Sequence, residues 1–99
     1  MLRNNEMASQ GLEELYLKME KVHEKASHIF ETGSFPSMLK NEFNNKVSQY
    51  DSMYDSIETM KAMTDNEETI SNLINQQIEV LTVRIKWELD WATRAAEQM

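Results

Sequence analysis

Apolar and polar residues alternate strictly from Leu81 to Trp91, with every odd position apolar. In a β-strand this pattern buries one face, so a strand is one interpretation of the segment. The flanking sequence favours a helix instead, because no glycine or proline follows Pro36 and alanines are frequent after Trp91. On a helix the alternation places apolar residues on two opposite sides, since two residues advance the helix by about 200°. A helix with two apolar faces needs two neighbours.

The two faces of this predicted C-terminal helix consist of different residues. We predict that the first face binds a partner, and it comprises Leu73, Val80, Val83, Trp87 and Trp91. The second apolar face comprises Ile74, Ile78, Leu81, Ile85 and Leu89. The two tryptophans pack either against the rest of their own chain or against another molecule. Each buried aromatic ring removes roughly 150–250 Å² from water, so either arrangement is energetically significant.

The first half of the chain predicts two further helices. Apolar residues spaced by three and four form a heptad-like stripe on the first helix, for which Ser9 is the expected N-cap: Leu12, Leu15, Met19, Val22, Ala26 and Ile29. We expect Gly33 to end this helix in the left-handed conformation and Pro36 to start the next one, which runs to about Met63. The short connection predicts an antiparallel helical hairpin.

The periodicity breaks around residues 64–66. Thr64 with Glu67, and Asp65 with Glu68, have the spacing of N-terminal capping pairs, so a new helix is expected to start there. A single long helix with a kink is the alternative. The predicted fold is therefore all-α, with a disordered tail over 1–8, a helical hairpin over 9–63 and a C-terminal assembly helix over 64–99.

Composition narrows the class of function. The chain has 99 residues, a net charge of −7 and no cysteine. Excess negative charge disfavours binding to nucleic acid or to an anionic lipid surface, and the lack of cysteine excludes thiol chemistry. No apolar run is long enough to insert into a bilayer, and the first residues lack the hydrophobic block of a secretory signal. We expect a cytoplasmic protein, or one exported without a cleaved signal peptide.

Few residues in the chain are candidates for catalysis or for metal binding. Glu20 and His23 match the Glu-x-x-His element of di-iron helical proteins, but no second such element accompanies them. Asp51, Asp55 and Glu58 align as carboxylates on one helix, yet acid–base catalysis would require that they be buried. The chain also has no phosphate-binding loop, dinucleotide fingerprint or nucleophile–histidine context. We predict no enzymatic activity, no metal, no cofactor and no small-molecule substrate, with these side chains lying on solvated helix surface.

The chain contains eight methionines. Met19, Met53 and Met60 fall in the apolar stripes and are predicted to fill the core, because the flexible thioether side chain fits irregular gaps. A methionine-rich surface that accepts varied partners is the alternative.

The segment from Asn66 to Met99 resembles the C-terminal helix of bacterial type III secretion inner-rod proteins. The matching features are Leu73, Gln76 or Gln77, the alternation from residue 81 to 89, and the small-residue run over 92–98. The resemblance implies a non-enzymatic subunit that is exported without a cleaved signal. Several copies of such a subunit would pack around a secretion channel, which suits a helix with two apolar faces.

Two alternatives accompany this expectation. The length of the chain resembles that of the secreted helical hairpins of the type VII route, although their central Trp-x-Gly turn is missing here. A small helical adaptor or secretion chaperone that binds a partner helix is the other. All three are structural or interaction proteins, whose partners are copies of the same chain or other protein subunits.

Overall fold

The computed structural model describes the backbone of residues 2–98 and the side chains of residues 8–98. It contains three helices, α1 (Leu2–Thr32), α2 (Ser37–Ala62) and α3 (Glu67–Gln98). No strand occurs within that part of the chain, so the all-α prediction is confirmed. The strand alternative for residues 81–91 is wrong, and so is the alternative of one continuous long helix, because α2 and α3 are separate.

The helices form an elongated bundle that measures 50 × 20 × 15 Å. Helices α1 and α2 run antiparallel, as Tyr16 meets Tyr54 near one end and Phe30 meets Phe43 near the other. Helix α3 then runs parallel to α1. The principal helix–helix contacts are those of α1 with α3 and of α2 with α3. Helix α3 is therefore the element that the other two share.

The central position of α3 explains its two apolar faces. Toward α1 it contributes to a cluster of buried residues made of Leu12, Met19, Ile74, Leu81 and Ile85. Toward α2 it contributes to a second cluster made of Tyr50, Ile57, Leu73 and Val80. A third cluster, near the α1–α2 connection, is made of Ala26, Phe43, Trp91 and Ala95. The two neighbours that the alternating pattern demands are thus the two other helices of the same chain.

The ends of the helices differ in detail from the prediction. Helix α1 begins at Leu2 rather than at Ser9, so residues 2–8, which we predict to be a disordered tail, are helical. These residues include no glycine or proline, and Ala8 packs against the α1–α3 cluster. Asn66, rather than Thr64 or Asp65, caps α3, because its Oδ1 accepts a hydrogen bond from the Thr69 backbone N–H at 2.9 Å.

Gly33 does not adopt the left-handed conformation expected of it, since neither glycine has a positive φ. Its amide donates to the Ile29 carbonyl at 2.8 Å and completes the last turn of α1. A Cβ at this position would collide with the Phe35 ring. Glycine is therefore required here by close packing rather than by backbone conformation.

The buried seam of α3 changes position in its second half. Leu89, predicted to continue the second apolar face, is 50% exposed, whereas Glu88 is fully buried. The seam runs through Leu81, Ile85, Glu88 and Ala95, which is a heptad pattern with one charged member. Ile78 is only half-buried. The pattern in the sequence is misleading at this point because Leu89 is apolar and Glu88 is charged.

Candidate functional site

The predicted partner-binding face is largely covered by the chain itself. Leu73, Val80 and Trp91 are buried, and Trp87 is half-buried. Only Val83, at 46% exposure, is an exposed member of the set. The three buried residues contact the chain itself, because α2 covers Leu73 and Val80, and Trp91 lies in the cluster near the α1–α2 connection. Partner binding by this face stays a prediction.

Trp91 has no exposed surface and lies inside an aromatic cluster. Its ring centroid is 4.4 Å from that of Phe43 and 5.7 Å from that of Phe35. Its indole N–H donates to the Leu39 carbonyl at 2.8 Å, so the polar atom of the side chain is satisfied as well. In the structure, the tryptophans therefore pack against the rest of their own chain rather than standing free for another molecule.

Three residues spaced seven apart on α3 form hydrogen bonds to α2: Gln77, Arg84 and Trp91. Their partners on α2 are Glu58, Asp51 and the Leu39 carbonyl, which follow in reverse order because the helices are antiparallel. A spacing of seven keeps such side chains on one side of a helix. These contacts fix the register of α2 against α3.

Arg84 and Glu88 form the most deeply buried polar contact in the described part of the chain. The Arg84 Nε donates to Glu88 Oε2 at 2.7 Å, and the other carboxylate oxygen lies 2.8 Å from His23 Nδ1. Arg84 also donates from Nη1 to Asp51 at 2.6 Å. Ser27 Oγ lies 3.2 Å from the second ring nitrogen of His23. The network therefore joins all three helices.

Direct contacts with acidic side chains compensate the buried charge of the Arg84 guanidinium. Burial lowers the pKa of the Arg84 guanidinium, but hydrogen bonds and attraction from Glu88 and Asp51 outweigh burial and leave that pKa above its usual value. Among the described residues, every buried side-chain nitrogen or oxygen has a hydrogen-bond partner. The network is consequently saturated by its own members.

A cleft of about 500 Å³ opens beside this network, between α1 and α2. It is lined by Tyr16, Met19, Glu20, His23, Glu24, Asp51 and Arg84. Both ring nitrogens of His23 are already engaged, by Glu88 and Ser27, so His23 is a link in the network rather than a free base. Within residues 8–98, no group of three or more histidine, aspartate or glutamate side chains is placed to hold a metal ion.

The predicted carboxylate stripe on α2 is exposed, but two of its members bind α3. Asp51 contacts Arg84, and Glu58 Oε2 accepts from Gln77 Nε2 at 2.7 Å. Gln77 is fully buried, and its Oε1 accepts from Lys61 Nζ at 2.7 Å. The hydrogen bond from Gln77, assisted by Lys61, holds the pKa of the Glu58 carboxyl below its usual value. Sequence patterns missed this role because Gln77 is polar and was not assigned to either apolar face.

The lowered pKa of Glu58 predicts a specific loss of stability in acid. A group whose folded-state pKa is depressed stabilises the fold above its unfolded pKa, and this contribution disappears as pH falls through the folded pKa. The melting temperature of Glu58→Gln should therefore lie below that of the wild type at pH 7 and approach it below about pH 4. Circular dichroism melts at a series of pH values measure this, with Asp55→Asn as the control. An equal difference between Glu58→Gln and wild type at pH 7 and pH 3 would contradict it.

A second surface, the α2–α3 groove, lies on the outer side of these two helices and has a volume of about 320 Å³. It is lined by Tyr50, Met53, Ile57, Gln76, Glu79, Val80 and Val83. Ile57 and Val80 form its buried floor, whereas Met53 and Val83 stand on its walls and are 43% and 46% exposed. Apolar side chains thus remain accessible on both helices that border it.

Further methionines are exposed toward the C-terminal end of α2. Met60 and Met63 are exposed beyond Met53, so the prediction that Met53 and Met60 fill the core is wrong. Met19 is buried, and its predicted core position is confirmed. The physical reason is the heptad spacing of Phe43, Tyr50 and Ile57, which directs these three residues inward and leaves Met53 and Met60 at the edge of the interface.

No helix within residues 2–98 is both long enough and apolar enough to cross a membrane. The resemblance of the C-terminal third to inner-rod proteins stays a prediction. Comparisons with models of protein families, with curated proteins and with solved structures find no match to this chain.

Proposed function

We propose that this chain is a non-enzymatic helical interaction protein that binds a protein partner through the α2–α3 groove while its bundle stays folded. The observation that supports this proposal is the accessibility of Met53 and Val83 on opposite walls of the groove. Exposed apolar side chains that lie together in a groove mark a candidate contact surface for another protein.

The shape and lining of the groove suit a helical partner. Two adjacent antiparallel helices present a groove into which the apolar side of a third helix can pack. Methionine side chains adapt to partners of different shape because they are unbranched and polarizable. The groove is shallow and partly open to solvent, which supports contact with a polypeptide rather than enclosure of a small molecule.

The polar network supports a structural role for its members. His23, Arg84 and Glu88 are bonded to one another, and none of these side chains is left available as a nucleophile or as a free acid or base. Their hydrogen bonds connect α3 to both other helices. A rigid bundle of this kind holds the walls of the groove in place.

The same geometry favours an adaptor or secretion chaperone over an inner-rod-like subunit. An inner-rod-like subunit would expose Trp91, Leu73 and Val80 to neighbouring copies, which requires α3 to leave the bundle. In an adaptor the bundle remains intact and only the groove is occupied. The burial of Trp91 supports the second arrangement.

Site-specific photo-crosslinking tests this proposal. A photoreactive phenylalanine analogue placed at Met53 lies in the groove, and the same analogue at Met38, which is more exposed and lies in the first turn of α2, is the matched control. When the protein is expressed in its source cells, we expect adducts with a defined polypeptide from position 53 and not from position 38. Equal adducts from both positions, or none from position 53, would contradict the proposal.

A further inference from the structure

We propose that the outer face of α1 binds an acidic segment of a partner protein. The surface consists of the basic stripe, which we define as Lys18, Lys21, Lys25 and His28, and of the neighbouring Leu17. It is distinct from the α2–α3 groove, because it lies on a helix that contributes nothing to that groove. It therefore adds a second contact surface, with a partner of specified charge, to the proposed function.

The spacing of the basic stripe places its four side chains on one side of α1. They follow one another by three, four and three residues, and all four are exposed. Residues at such spacings are neighbours on the surface of a helix. Three ammonium groups and one imidazole therefore form a line about 15 Å long along the outside of the bundle.

The three lysines of the stripe have no ion pair, hydrogen bond or cation–π contact within the described part of the chain. Five other cationic side chains there already contact a carboxylate or an aromatic ring: Lys40, Lys46, Lys61, Arg84 and Arg94. Lys86 on α3 is the remaining cation without such a contact. Three of the four unengaged lysines of residues 8–98 thus lie together on one face of one helix.

This arrangement is unfavourable in the isolated chain. Lys18 and Lys21 are three residues apart and Lys21 and Lys25 are four apart, so both pairs bring like charges together on the helix surface. Glu24 is the one carboxylate at such a spacing from Lys21. A ligand that supplies carboxylates along the stripe relieves this repulsion, whereas a neutral ligand does not.

An exposed apolar side chain and a recess adjoin the stripe. Leu17 is 55% exposed and lies one helical turn before Lys21. A recess of about 860 Å³ borders Lys21, Lys25 and His28 further along the helix, and the half-buried Ile29 contributes to its lining. Apolar contacts are needed because exposed ion pairs contribute little on their own. We therefore expect the partner segment to be amphipathic as well as acidic.

The surroundings of the stripe favour a polypeptide over a uniform polyanion. Glu14 precedes the stripe on the same side of α1, Glu24 and Glu31 also line the recess, and the whole chain has a net charge of −7. Duplex nucleic acid carries one negative charge per about 1.7 Å of its axis, so it meets these glutamates as well as the lysines. A polypeptide can place carboxylates opposite the lysines and neutral or basic side chains opposite the glutamates.

Binding of a labelled acidic peptide to the full chain tests the inference. The probe is a synthetic peptide of about 16 residues, long enough to form a helix, with glutamates and leucines on one side and alanines elsewhere. Fluorescence anisotropy at low ionic strength measures its dissociation constant. Lys21→Glu should weaken binding about tenfold, because an attraction at the centre of the stripe becomes a repulsion.

Lys86→Glu is the matched control for this measurement. It makes the same change in net charge at another exposed and unpaired lysine, but on α3. The dissociation constant of the peptide should therefore stay within about twofold of the wild-type value, because salt screens distant charges. Failure of the wild-type chain to bind the acidic peptide, or equal weakening by Lys21→Glu and Lys86→Glu, would overturn the inference.

Two further probes distinguish the classes of anionic ligand. A single-stranded oligonucleotide with the same number of charges as the peptide, and vesicles that contain phosphatidylserine, should both bind the chain more weakly than the peptide does. Tighter binding of either probe would overturn the assignment of a polypeptide partner.

The melting temperature separates loss of the surface from loss of the fold. Lys21→Glu turns two like-charge pairs into attractions and one attraction into a repulsion, so the free chain should melt slightly higher than the wild type. Lys86→Glu places a carboxylate four residues before Asp90 and should melt slightly lower. If Lys21→Glu lost peptide binding and also melted below the wild type, the loss would come from the fold, and the inference would be wrong.

Crosslinking in the source cells identifies the natural partner segment. A photoreactive residue at Leu17 should give an adduct with a segment whose net charge, read from mass spectrometry of the crosslinked peptide, is negative. A neutral or basic segment, or an adduct of twice the chain mass, would overturn the inference. Because position 53 reports on the α2–α3 groove and position 17 on α1, failure at one position leaves the result at the other intact.

Discussion

Replacing Trp91 by alanine is expected to destabilise the bundle by about 3–5 kcal/mol, which is a large part of the 5–15 kcal/mol that stabilises a typical domain. The indole ring is fully buried against Phe43 and Phe35, and its N–H satisfies the Leu39 carbonyl. Alanine removes the apolar contacts, leaves a cavity and removes the donor that this carbonyl binds. The free energy of unfolding, from urea titration followed by circular dichroism, measures the effect.

Two further variants separate the contributions to this loss. Trp91→Phe keeps a ring in the cluster but has no N–H, so it should cost about 1 kcal/mol for the hydrogen bond plus a packing penalty. Trp87→Ala removes the same type of side chain from a half-buried position and should cost less than Trp91→Ala. If Trp87→Ala and Trp91→Ala were equally destabilising, the placement of Trp91 at the centre of the aromatic cluster would be wrong.

Replacing Arg84 alone should be nearly as damaging as the loss of Trp91. Arg84→Met removes the guanidinium that contacts Glu88 and Asp51, and Glu88 is then buried with His23 as its remaining partner. Removing one partner of a buried ion pair typically costs 3–5 kcal/mol, because the buried group that remains loses its main compensating contact. Thermal and urea unfolding at pH 7 should both show this loss.

The double variant Arg84→Met/Glu88→Leu should recover most of that stability. It replaces the ion pair by apolar side chains of similar size, and such replacements are often neutral or stabilising. His23 is about one-third exposed and can bind water in place of Glu88. A double variant as unstable as Arg84→Met would mean that the loss comes from packing rather than from the uncompensated charge of Glu88.

Helix type and most helix boundaries could be predicted from local patterns. The break over residues 64–66 and the helix ends at Gly33 and Pro36 are determined by neighbouring residues. The end of α1 and both ends of α2 therefore lie within one residue of the prediction. The start of α1 was the exception, because nothing before Ser9 prevents a helix. Whether a helix extends into a polar segment depends on what that segment touches.

The burial of Glu88 instead of Leu89 could not be predicted in this way. A carboxylate is buried only where cations and donors from other helices compensate it, and here Arg84 and His23 do so. His23 is 65 positions away in the sequence. The spacing of apolar residues carries no information about a contact between side chains so far apart in the sequence. The pattern therefore predicted that Leu89, rather than Glu88, is buried.

The apolar face with Trp87 and Trp91 shows a related limit. Periodicity correctly indicated that α3 needs two neighbours, but it does not say whether a neighbour belongs to the same chain. Helix α2 supplies the second neighbour in this fold. The same ambiguity led to the assignment of Met53 and Met60 to the core, although they lie at its edge.

The central position of α3 also determines when this bundle can form. Helices α1 and α2 find their main contacts on α3 rather than on each other, and those contacts join residues far apart in the sequence. A nascent chain that has released only residues 2–62 from the ribosome thus holds two amphipathic helices without their common neighbour. Isolated helices of that kind are marginally stable in water. Folding is expected to occur as one cooperative step after residues 67–98 emerge. Its slow event should be the formation of contacts between residues that are far apart in the sequence.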